Sequence, residues 1–359
     1  MEIGIVGLPN VGKSTLFNAL LKKQVALAAN YPFATIEPNT GIVDVPDDRL
    51  DALADFIKKT EKIESGFKII PATIKVVDIA GIVKGASEGQ GLGNKFLSHI
   101  REVDAIAQVV REFTDADVVQ TGENPKSDIE TINTELILAD METITKLIDN
   151  ATTDLKRVTL DKATTQMRID ALKKIKDALD AGQLASEAGL TPEEKTAVGN
   201  LPLITTKPMI YVYNVDEKDA AKEATKPNEL IISAKVESEV SSLDEAEAAE
   251  YLESLGLKQS GLHRLAKKAY DILGLQSFLT AGPKEVRAWT IKKGTKGPQA
   301  AAVIHTDFEK GFIKAECINW QKLIDAGSYV KAKELGQLRL EGKEYVVQDG
   351  DVIEFKINA

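Results

Sequence analysis

Nine residues near the amino terminus combine glycines, a lysine and hydroxyl side chains at the spacing of a phosphate-binding loop. The stretch at residues 7–15 reads GLPNVGKST and lies between two apolar runs. Glycines let backbone N–H groups curl around an anion, and the helix predicted to follow adds the partial positive charge of its amino end. In such a loop Lys13 reaches the β- and γ-phosphates and Ser14 holds Mg²⁺. The spacing predicts a nucleoside triphosphate site, and a plain glycine turn is the structural alternative.

The segment at residues 30–41 has the residue types of a nucleotide-dependent switch. It is too rich in proline, asparagine and glycine for a regular element. A threonine in such a loop can place its hydroxyl on Mg²⁺ and its backbone on the γ-phosphate. Thr35 and Thr40 are both candidates on chemistry alone, and an ordinary loop is the alternative.

A predicted strand ends at Asp78, where a second candidate switch begins. The Asp78 carboxylate can hold Mg²⁺ through water, and the Gly81 N–H can meet the γ-phosphate. Many proteins of this type carry a glutamine after that glycine to orient the attacking water, whereas this chain has Ile82. Isoleucine has no hydrogen-bonding group, so backbone groups, a monovalent cation or a partner must position the water. The four glycines of residues 84–95 predict a mobile loop or second switch.

The stretch Asn214-Val215-Asp216-Glu217, at the end of a predicted strand, bears on the choice of base. Guanine-specific proteins of this type use Asn-Lys-x-Asp, whose aspartate accepts both the N1–H and the 2-amino group. Here Val215 replaces the lysine, and Glu217 is one methylene longer than aspartate. Asn214 can still bond a purine. Since an unpaired buried acceptor costs ~1–3 kcal/mol, the segment favours ATP over GTP.

Two alternatives to this interpretation remain open. The segment could be an unrelated surface turn, or Asp216 could take the aspartate position through a slip of register. After the next predicted strand, Ser233 and Ala234 begin a short loop that can place backbone N–H groups on the purine edge.

The alternation of strands and helices stops near residue 125. Apolar residues recur three and four apart from Ile129 and again from Leu155 to Leu179, which predicts two long helices in an antiparallel coiled-coil hairpin. The stretch at residues 191–194, Thr-Pro-Glu-Glu, predicts the start of a third helix. The projecting shape suits partner binding, and a purely structural arm is the alternative.

From about Leu275 the pattern becomes β-rich. Strands are predicted at 286–291, 312–317, 345–347 and 352–355, with a short helix at 299–303, which together fit a ubiquitin-like β-grasp module. Residues 278–359 hold 13 Lys or Arg and 11 Asp or Glu, although the whole chain has a formal net charge of -10. An anionic partner is therefore expected at this end. The turn with Lys292, Lys293 and Lys296 could meet RNA phosphates or be a solvated loop, and Trp289 is predicted to be a core residue rather than a base-stacking platform.

The composition excludes several classes of protein. The chain has one cysteine, Cys317, which leaves no intramolecular disulfide and no cysteine-based metal cluster. Its histidines share no metal-ligand spacing. No apolar run approaches the ~20 residues of a membrane span. No secretory signal is visible, and the sequence predicts a cytoplasmic protein.

The order of these motifs resembles that of the Obg-like ATPase family, the YchF group of translation-factor-related P-loop proteins. The likeness covers essentially the whole chain and is carried by GLPNVGKST, NYPFATIEPNTG, DIAG with IVKGASEGQGLGNKFL, NVDE, VRAWT and IHTDFEKGF. It implies an α/β fold in three parts. These are a P-loop domain at 1–124 and 206–277, a helical coiled-coil insertion at 125–205, and a C-terminal TGS domain of β-grasp type at 278–359.

The resemblance also implies an activity and partners. Members hydrolyse ATP and GTP, usually with ATP preferred, and associate with ribosomes, here expected on the large subunit, or with RNA. Lys13 and Gly81 are the candidate catalytic residues, and Ser14, Thr35 and Asp78 the candidate Mg²⁺ ligands. The expected nucleotide contacts are Asn10, Val11, Gly12, Lys13, Ser14, Thr15, Asn214, Val215, Glu217, Ser233 and Ala234.

Two positions bear on mechanism. Some members carry a candidate catalytic histidine where this chain has Gln120, so a histidine mechanism is not expected here. Asn10 lies where potassium-dependent relatives place an asparagine, which makes K⁺ a candidate cofactor that could supply charge in the transition state. The alternative functions are a guanine-specific translation GTPase and a nucleotide-gated ribosome-binding module with incidental turnover. A requirement of hydrolysis for release from the partner would separate the enzyme from the binding module.

Overall fold

The computed structural model describes residues 1–28, 39–63, 65–79, 92–115, 118–119, 122–157 and 162–358. The strands are β1 (Glu2–Gly7), β2 (Thr40–Val45), β3 (Lys68–Ile70), β4 (Ala72–Asp78), β5 (Ala105–Glu112), β6 (Met209–Val215), β7 (Glu229–Ile232), β8 (Leu275–Ala281), β9 (Glu285–Lys292), β10 (Phe312–Asn319), β11 (Arg339–Glu341) and β12 (Asp351–Ile357).

One helix, of 33 residues, is much longer than the rest. In chain order the helices are α1 (Lys13–Ala28), α2 (Asp48–Glu61), α3 (Leu92–Glu102), α4 (Pro125–Arg157), α5 (Lys162–Asp180), α6 (Pro192–Val198), α7 (Ala234–Val240), α8 (Glu245–Ser254), α9 (Gly261–Ile272), α10 (Gly297–Ile304), α11 (Thr306–Lys310), α12 (Trp320–Ala326) and α13 (Tyr329–Glu334). Within the described ranges, no helix is long and apolar enough to cross a bilayer.

The first sheet has the strand order β2-β4-β1-β5-β6-β7, and the four pairings from β4 to β7 are parallel. Its central strand, β1, is apolar and buried, with Ile3 and Ile5 fully covered. Parallel strands put their carboxyl ends at one edge of a sheet. Gly7, Asp78 and Val215 end β1, β4 and β6, so this edge brings three of the predicted motifs together, and the predicted α/β fold is confirmed.

The inserted helices α4 and α5 pack against each other, as the apolar spacing predicts. Ile132 and Leu136 on α4 and Leu172 on α5 are fully buried. Thr191 caps α6 by accepting a hydrogen bond from the Glu194 N–H at 3.2 Å. The predicted third helix is therefore present and begins with its expected cap.

Contacts group the chain into two units. One contains Met1–Ile42 and Lys75–Leu262, and the other contains Val43–Ile74 and His263–Ala359. The sequence did not predict that residues 43–74 join the carboxyl-terminal residues. This segment contributes β3, which pairs in parallel with β9 from Lys68 opposite Glu285 to Ile70 opposite Arg287.

The second sheet has the order β11-β10-β12-β8-β9-β3. β8 and β12 pair in parallel at its centre, while β8–β9, β10–β12 and β10–β11 are antiparallel. A mixed sheet with parallel central strands is the expected β-grasp arrangement, here widened by β3. Trp289 is partly buried and packs against the core, where it stacks on buried Phe278 at a centroid distance of 6.4 Å.

A cluster of charges holds α2 within this second unit. Arg49 donates to both oxygens of Asp47, at 2.7 Å each, and to Asp349 Oδ2 at 2.9 Å. Asp349 Oδ1 in turn accepts the Ser277 N–H at 3.0 Å. The neighbouring Gly350 has a φ of 79°, and a Cβ there would lie 2.9 Å from the Arg49 guanidinium. The Asp-Gly turn therefore leaves room for the arginine.

The predicted strand at 345–347 is wrong. In the described chain this segment makes a single bridge, between Val346 and Lys296. The backbone at Val347 has other partners, because its N–H donates to Thr295 O at 3.0 Å and its carbonyl accepts Gln276 Nε2 at 2.7 Å. The short strand that completes this side of the sheet is instead β11, which pairs antiparallel with β10.

Candidate nucleotide-binding site

The phosphate loop joins β1 to α1 through two residues with positive φ. Asn10 has a φ of 63° and Gly12 a φ of 91°. Asparagine tolerates this left-handed region better than most side chains, and glycine adopts it freely. Space also requires the glycine, since a Cβ at Gly12 would lie 2.1 Å from Asn214 Nδ2. The loop is therefore fitted directly against the end of β6.

Lys13 begins α1 and forms an ion pair with Asp78 at the end of β4. The distance from Lys13 Nζ to Asp78 Oδ1 is 2.6 Å, and both side chains are largely buried. The predicted phosphate-binding lysine and the predicted Mg²⁺-associated carboxylate thus lie together. In this arrangement each neutralises the other at the floor of the loop.

The residues at the start of α1 also bear on Mg²⁺ binding. Ser14 is exposed in the first turn, next to the Lys13–Asp78 pair. Hydroxyl and carboxylate oxygens are hard donors, and Mg²⁺ is usually bound by one or two such groups together with substrate phosphates. The donor set of Ser14 and Asp78 therefore fits this ion. In the described ranges no group of three or more His, Cys, Asp or Glu could hold a metal.

Asn214 ties two loops together from the end of β6. Its Nδ2 donates to Val11 O at 2.9 Å, and its Oδ1 accepts the Ala234 N–H at 2.8 Å. The side chain is buried, and these bonds use its oxygen and one amide hydrogen. No described residue accepts its second amide hydrogen. Asn214 is thus a brace between the phosphate loop and the segment at Ser233.

The predicted loop at Ser233 and Ala234 is instead the start of α7. Ser233 is the N-cap residue, and Ala234 and Val236 are buried on the inner face of the helix. The Ser233 hydroxyl is buried and has no hydrogen-bond partner within the described chain. The Ala234 N–H, one of the backbone groups expected on the purine edge, instead donates to Asn214 Oδ1 at 2.8 Å.

Glu217 lies just after β6 with both carboxylate oxygens engaged. Lys235 Nζ donates to Oε2 at 3.0 Å, and the Tyr251 hydroxyl donates to Oε1 at 3.1 Å. The bonds from Lys235 and from Tyr251 hold the pKa of Glu217 below its usual value, and Glu217 raises the pKa of Lys235. At neutral pH Glu217 is a fixed anion with two donors on it.

The residues that follow β5, among them Thr114 and Asp115, form the opposite wall of the site. Arg111 and Asp216 hold this wall in place. Arg111 donates to the carbonyls of Asp115 and Val118, both at 3.1 Å, and its guanidinium lies 4.4 Å from the centre of the Phe113 ring. Asp216 accepts hydrogen bonds from Thr114, the shortest at 2.9 Å from its hydroxyl. Asp216 is thus already engaged with the wall.

These loops enclose a cavity of about 1440 Å³. The predicted residues that line it are Asn10, Gly12, Lys13, Ser14, Thr15, Asn214, Val215, Glu217, Ser233 and Ala234. Val11 is buried beneath the loop, and its carbonyl binds Asn214. Asn10 Nδ2 donates to Val119 O at 3.3 Å. The predictions for Thr35, Gly81, Ile82 and Gln120 fall outside the described residues.

Sequence analysis missed several residues that line or support the cavity. Glu239, on α7, lines it, and Tyr251, on α8, contacts Glu217 and Glu239 without lining it; no spacing signal joins either residue to Glu217. Arg111 supports the wall from near the end of β5, a strand that was predicted only as a buried element. Lys235 directly follows Ser233-Ala234, so adjacency to the base-binding segment could have suggested it.

Two family models match the chain. YchF-GTPase_C, described as a protein of unknown function (DUF933), matches residues 275–358. MMR_HSR1, described as a 50S ribosome-binding GTPase, matches residues 2–140.

Whole-chain relatives are similar over nearly their full length. The chain is 48% identical to the ribosome-binding ATPase YchF of Bacillus subtilis, over 100% of this chain and 99% of the relative. It is 44% identical to Obg-like ATPase 1 of Gallus gallus, over 100% and 92%. The solved structure of the Schizosaccharomyces pombe YchF GTPase is 37% identical and superimposes with a TM-score of 0.85, covering 99% of this chain and 97% of the other.

Proposed function

This chain belongs to the YchF and Obg-like ATPase family, and from that premise we propose that it is a ribosome-associated, Mg²⁺-dependent triphosphatase that hydrolyses ATP in preference to GTP. The observation that carries the choice of base is the state of Glu217. Both of its carboxylate oxygens already accept hydrogen bonds from this chain.

Guanine recognition by a carboxylate needs two available oxygens, because the N1–H and the 2-amino group both donate to it. At Glu217, guanine would have to compete with Tyr251 and Lys235, which already donate to the two oxygens. Adenine has no N1–H and makes no such demand. The difference between the two bases is the cost of weakening hydrogen bonds that Glu217 already makes, one of them in an exposed ion pair with Lys235.

At the phosphate end, we assign charge stabilisation to Lys13 and the loop backbone. The Lys13 ammonium is held 2.6 Å from Asp78 Oδ1 and can turn from that carboxylate to the β- and γ-phosphate oxygens. The N–H groups of residues 11–15 face the anion at the amino end of α1. Ser14 and Asp78 would hold Mg²⁺, which supplies positive charge to the phosphate oxygens when bound. Asn10 is the proposed contact for K⁺.

Association with the large ribosomal subunit or RNA, and a place in the cytoplasm, complete the proposal. Support comes from relatives named as ribosome-binding ATPases and from the 50S ribosome-binding description of the matching model. Sedimentation with ribosomal subunits through a sucrose cushion, with and without a non-hydrolysable ATP analogue, tests this part. Absence of the chain from the pellets in both conditions would contradict it.

Calorimetry with non-hydrolysable ATP and GTP analogues in Mg²⁺ and K⁺ tests the choice of base. We expect the wild type to bind the ATP analogue more tightly, and Glu217→Asp to shift the preference toward the GTP analogue. Glu334→Asp, on exposed α13, is the matched control and should keep the wild-type ratio.

Two further titrations test the ions. Removal of Mg²⁺ with EDTA should weaken binding of both analogues, and exchange of K⁺ for Na⁺ should slow hydrolysis of ATP. Unchanged turnover in Na⁺ would exclude K⁺ as a cofactor. Tighter binding of the GTP analogue by the wild type would overturn the ATPase proposal in favour of a guanine-specific enzyme.

A further inference from the structure

One phenol at the wall of the cavity joins three separate elements. Tyr251 lies on α8, and its hydroxyl donates to Glu217 Oε1 at 3.1 Å. The same hydroxyl contacts Glu239 Oε2 on α7. Glu217 itself follows β6, so the phenol fixes a loop residue against two helices. Glu217 and Glu239 both line the cavity, whereas Tyr251 stands behind them.

The Tyr251 hydroxyl lies between two carboxylates, those of Glu217 and Glu239. Two carboxylates that share one hydroxyl repel each other, and Lys235 is the ammonium that binds Glu217 from the other side, at 3.0 Å from Oε2. Burial and the two carboxylates raise the pKa of Tyr251, so the phenol keeps its proton well above neutral pH. In the cluster of Glu217, Glu239, Lys235 and Tyr251, the two carboxylates share the single phenol proton, and Lys235 adds a second donor to Glu217.

We propose that Tyr251 is a positioning residue for base selection, which acts by holding Glu217 Oε1 away from guanine. The inference rests on the proposed role of Glu217 in choosing the base. Lys235 holds only one oxygen of the carboxylate. Without the phenol, Oε1 is free to accept a hydrogen from the N1–H or 2-amino group of guanine, and the carboxylate can turn toward the base. Tyr251 thus excludes guanine without touching the nucleotide.

The test measures the ratio of dissociation constants for non-hydrolysable GTP and ATP analogues by calorimetry. Tyr251→Phe keeps the ring and removes the hydroxyl. We expect the GTP analogue to gain about tenfold relative to the ATP analogue, as one hydrogen bond to a charged group implies. Lys235→Met has no donor, frees the other oxygen and should shift the ratio in the same direction.

Tyr329→Phe is the matched control. The Tyr329 hydroxyl donates to Ala281 O at 3.4 Å in the second unit, and this variant should keep the wild-type ratio. A second control is the Glu217→Ala background. There Tyr251→Phe should cause no further change in the ratio, because the acceptor on which the phenol acts is gone.

The outcomes separate the possible roles. If Tyr251→Phe weakens both analogues equally and lowers the unfolding temperature, Tyr251 is only structural and the inference is overturned. A further shift of the ratio in the Glu217→Ala background overturns it too, since the effect would not pass through Glu217. Wild-type preference for GTP would overturn the ATPase proposal alone, and a ratio that still moves in Tyr251→Phe would support the role of Tyr251.

Discussion

The phosphate loop depends on close packing of the Asn214 amide against Gly12, which has no side chain. Gly12 leaves the space that Asn214 Nδ2 fills, and Asn214 then bonds both Val11 and Ala234. The same amide therefore sets the distance between the phosphate end of the site and the segment near the base. A change at Gly12 should be felt at both ends.

We expect Gly12→Ala to abolish measurable nucleotide binding, because its methyl group would occupy the position of the Asn214 amide. The positive φ adds a conformational cost of ~1–3 kcal/mol. Gly182→Ala is the control, since Gly182 has a φ of 76° with nothing within 4 Å of the added methyl. Its stability should fall while binding is kept. Equal affinity of the two variants for an ATP analogue in calorimetry would contradict this account.

At this scale, sequence could predict only part of the site. Lys13, Asp78 and Asn214 follow three strands of a parallel sheet, and the geometry of such sheets brings their carboxyl ends together. Tyr251 has no such constraint, because it lies on a helix whose position depends on packing. The double use of the Asn214 amide was also beyond prediction, since it depends on distances of 2.9 and 2.8 Å between segments remote in the chain.

At the scale of the elements, one buried carboxylate joins α4 of the helical insertion to the residues that lead back into β6. Asp140, on α4, is fully buried and accepts hydrogen bonds from the N–H groups of Ile204 and Thr205, at 2.9 and 2.7 Å. The Thr205 hydroxyl adds a third bond at 2.7 Å. Burial raises the pKa of Asp140 despite these donors. The joint fastens α4 to the turn that leads back into β6.

Asp140→Ala should lower the free energy of unfolding by about 3 kcal/mol, because three buried donors lose their acceptor. Urea unfolding followed by circular dichroism measures the change. Asp149→Ala, on an exposed position of the same helix, should stay within about 0.5 kcal/mol of the wild type. Similar losses in the two variants would mean that Asp140 does not fasten the helix.

Long elements were predictable, and short ones were not. The period of three and four residues identified α4 and α5, since many turns repeat the same signal. β3 has three residues, Lys68–Ile70, too few to show alternation, and its strand state depends on the pairing with β9. Val346 and Val347 have strand-forming side chains. The backbone of this segment, however, is bonded to Thr295 and to the Gln276 side chain, and it pairs only at the single bridge with Lys296.

At the scale of the molecule, the chain passes between its two units more than once. Residues 43–74 leave the first unit, enter the second and return, and the carboxyl-terminal residues enter it again. In the second unit the single cysteine, Cys317, is fully buried, and burial raises the pKa of its thiol to about 12. Alkylation of Cys317 therefore reports on the opening of that unit.

Arg49→Ala should speed the alkylation of Cys317 by iodoacetamide at pH 8 about tenfold, the effect of losing ~1.4 kcal/mol of local stability. The variant removes the bonds from α2 to Asp47 and Asp349. Lys59→Ala, at an exposed position of the same helix, should leave the rate unchanged. An unchanged rate in Arg49→Ala would show that residues 43–74 do not support the carboxyl-terminal fold.

The pairing of β3 with β9 has a consequence for synthesis of the protein. Residues 68–70 leave the ribosome early, whereas their partners at 285–287 follow more than two hundred residues later. At ~5–20 residues per second, the delay is about 10–40 s. During that interval the apolar face of α2, with Leu50, Leu53 and Ile57, lacks the strands that cover it in the folded protein. The second sheet can therefore be completed only late in the synthesis of the chain.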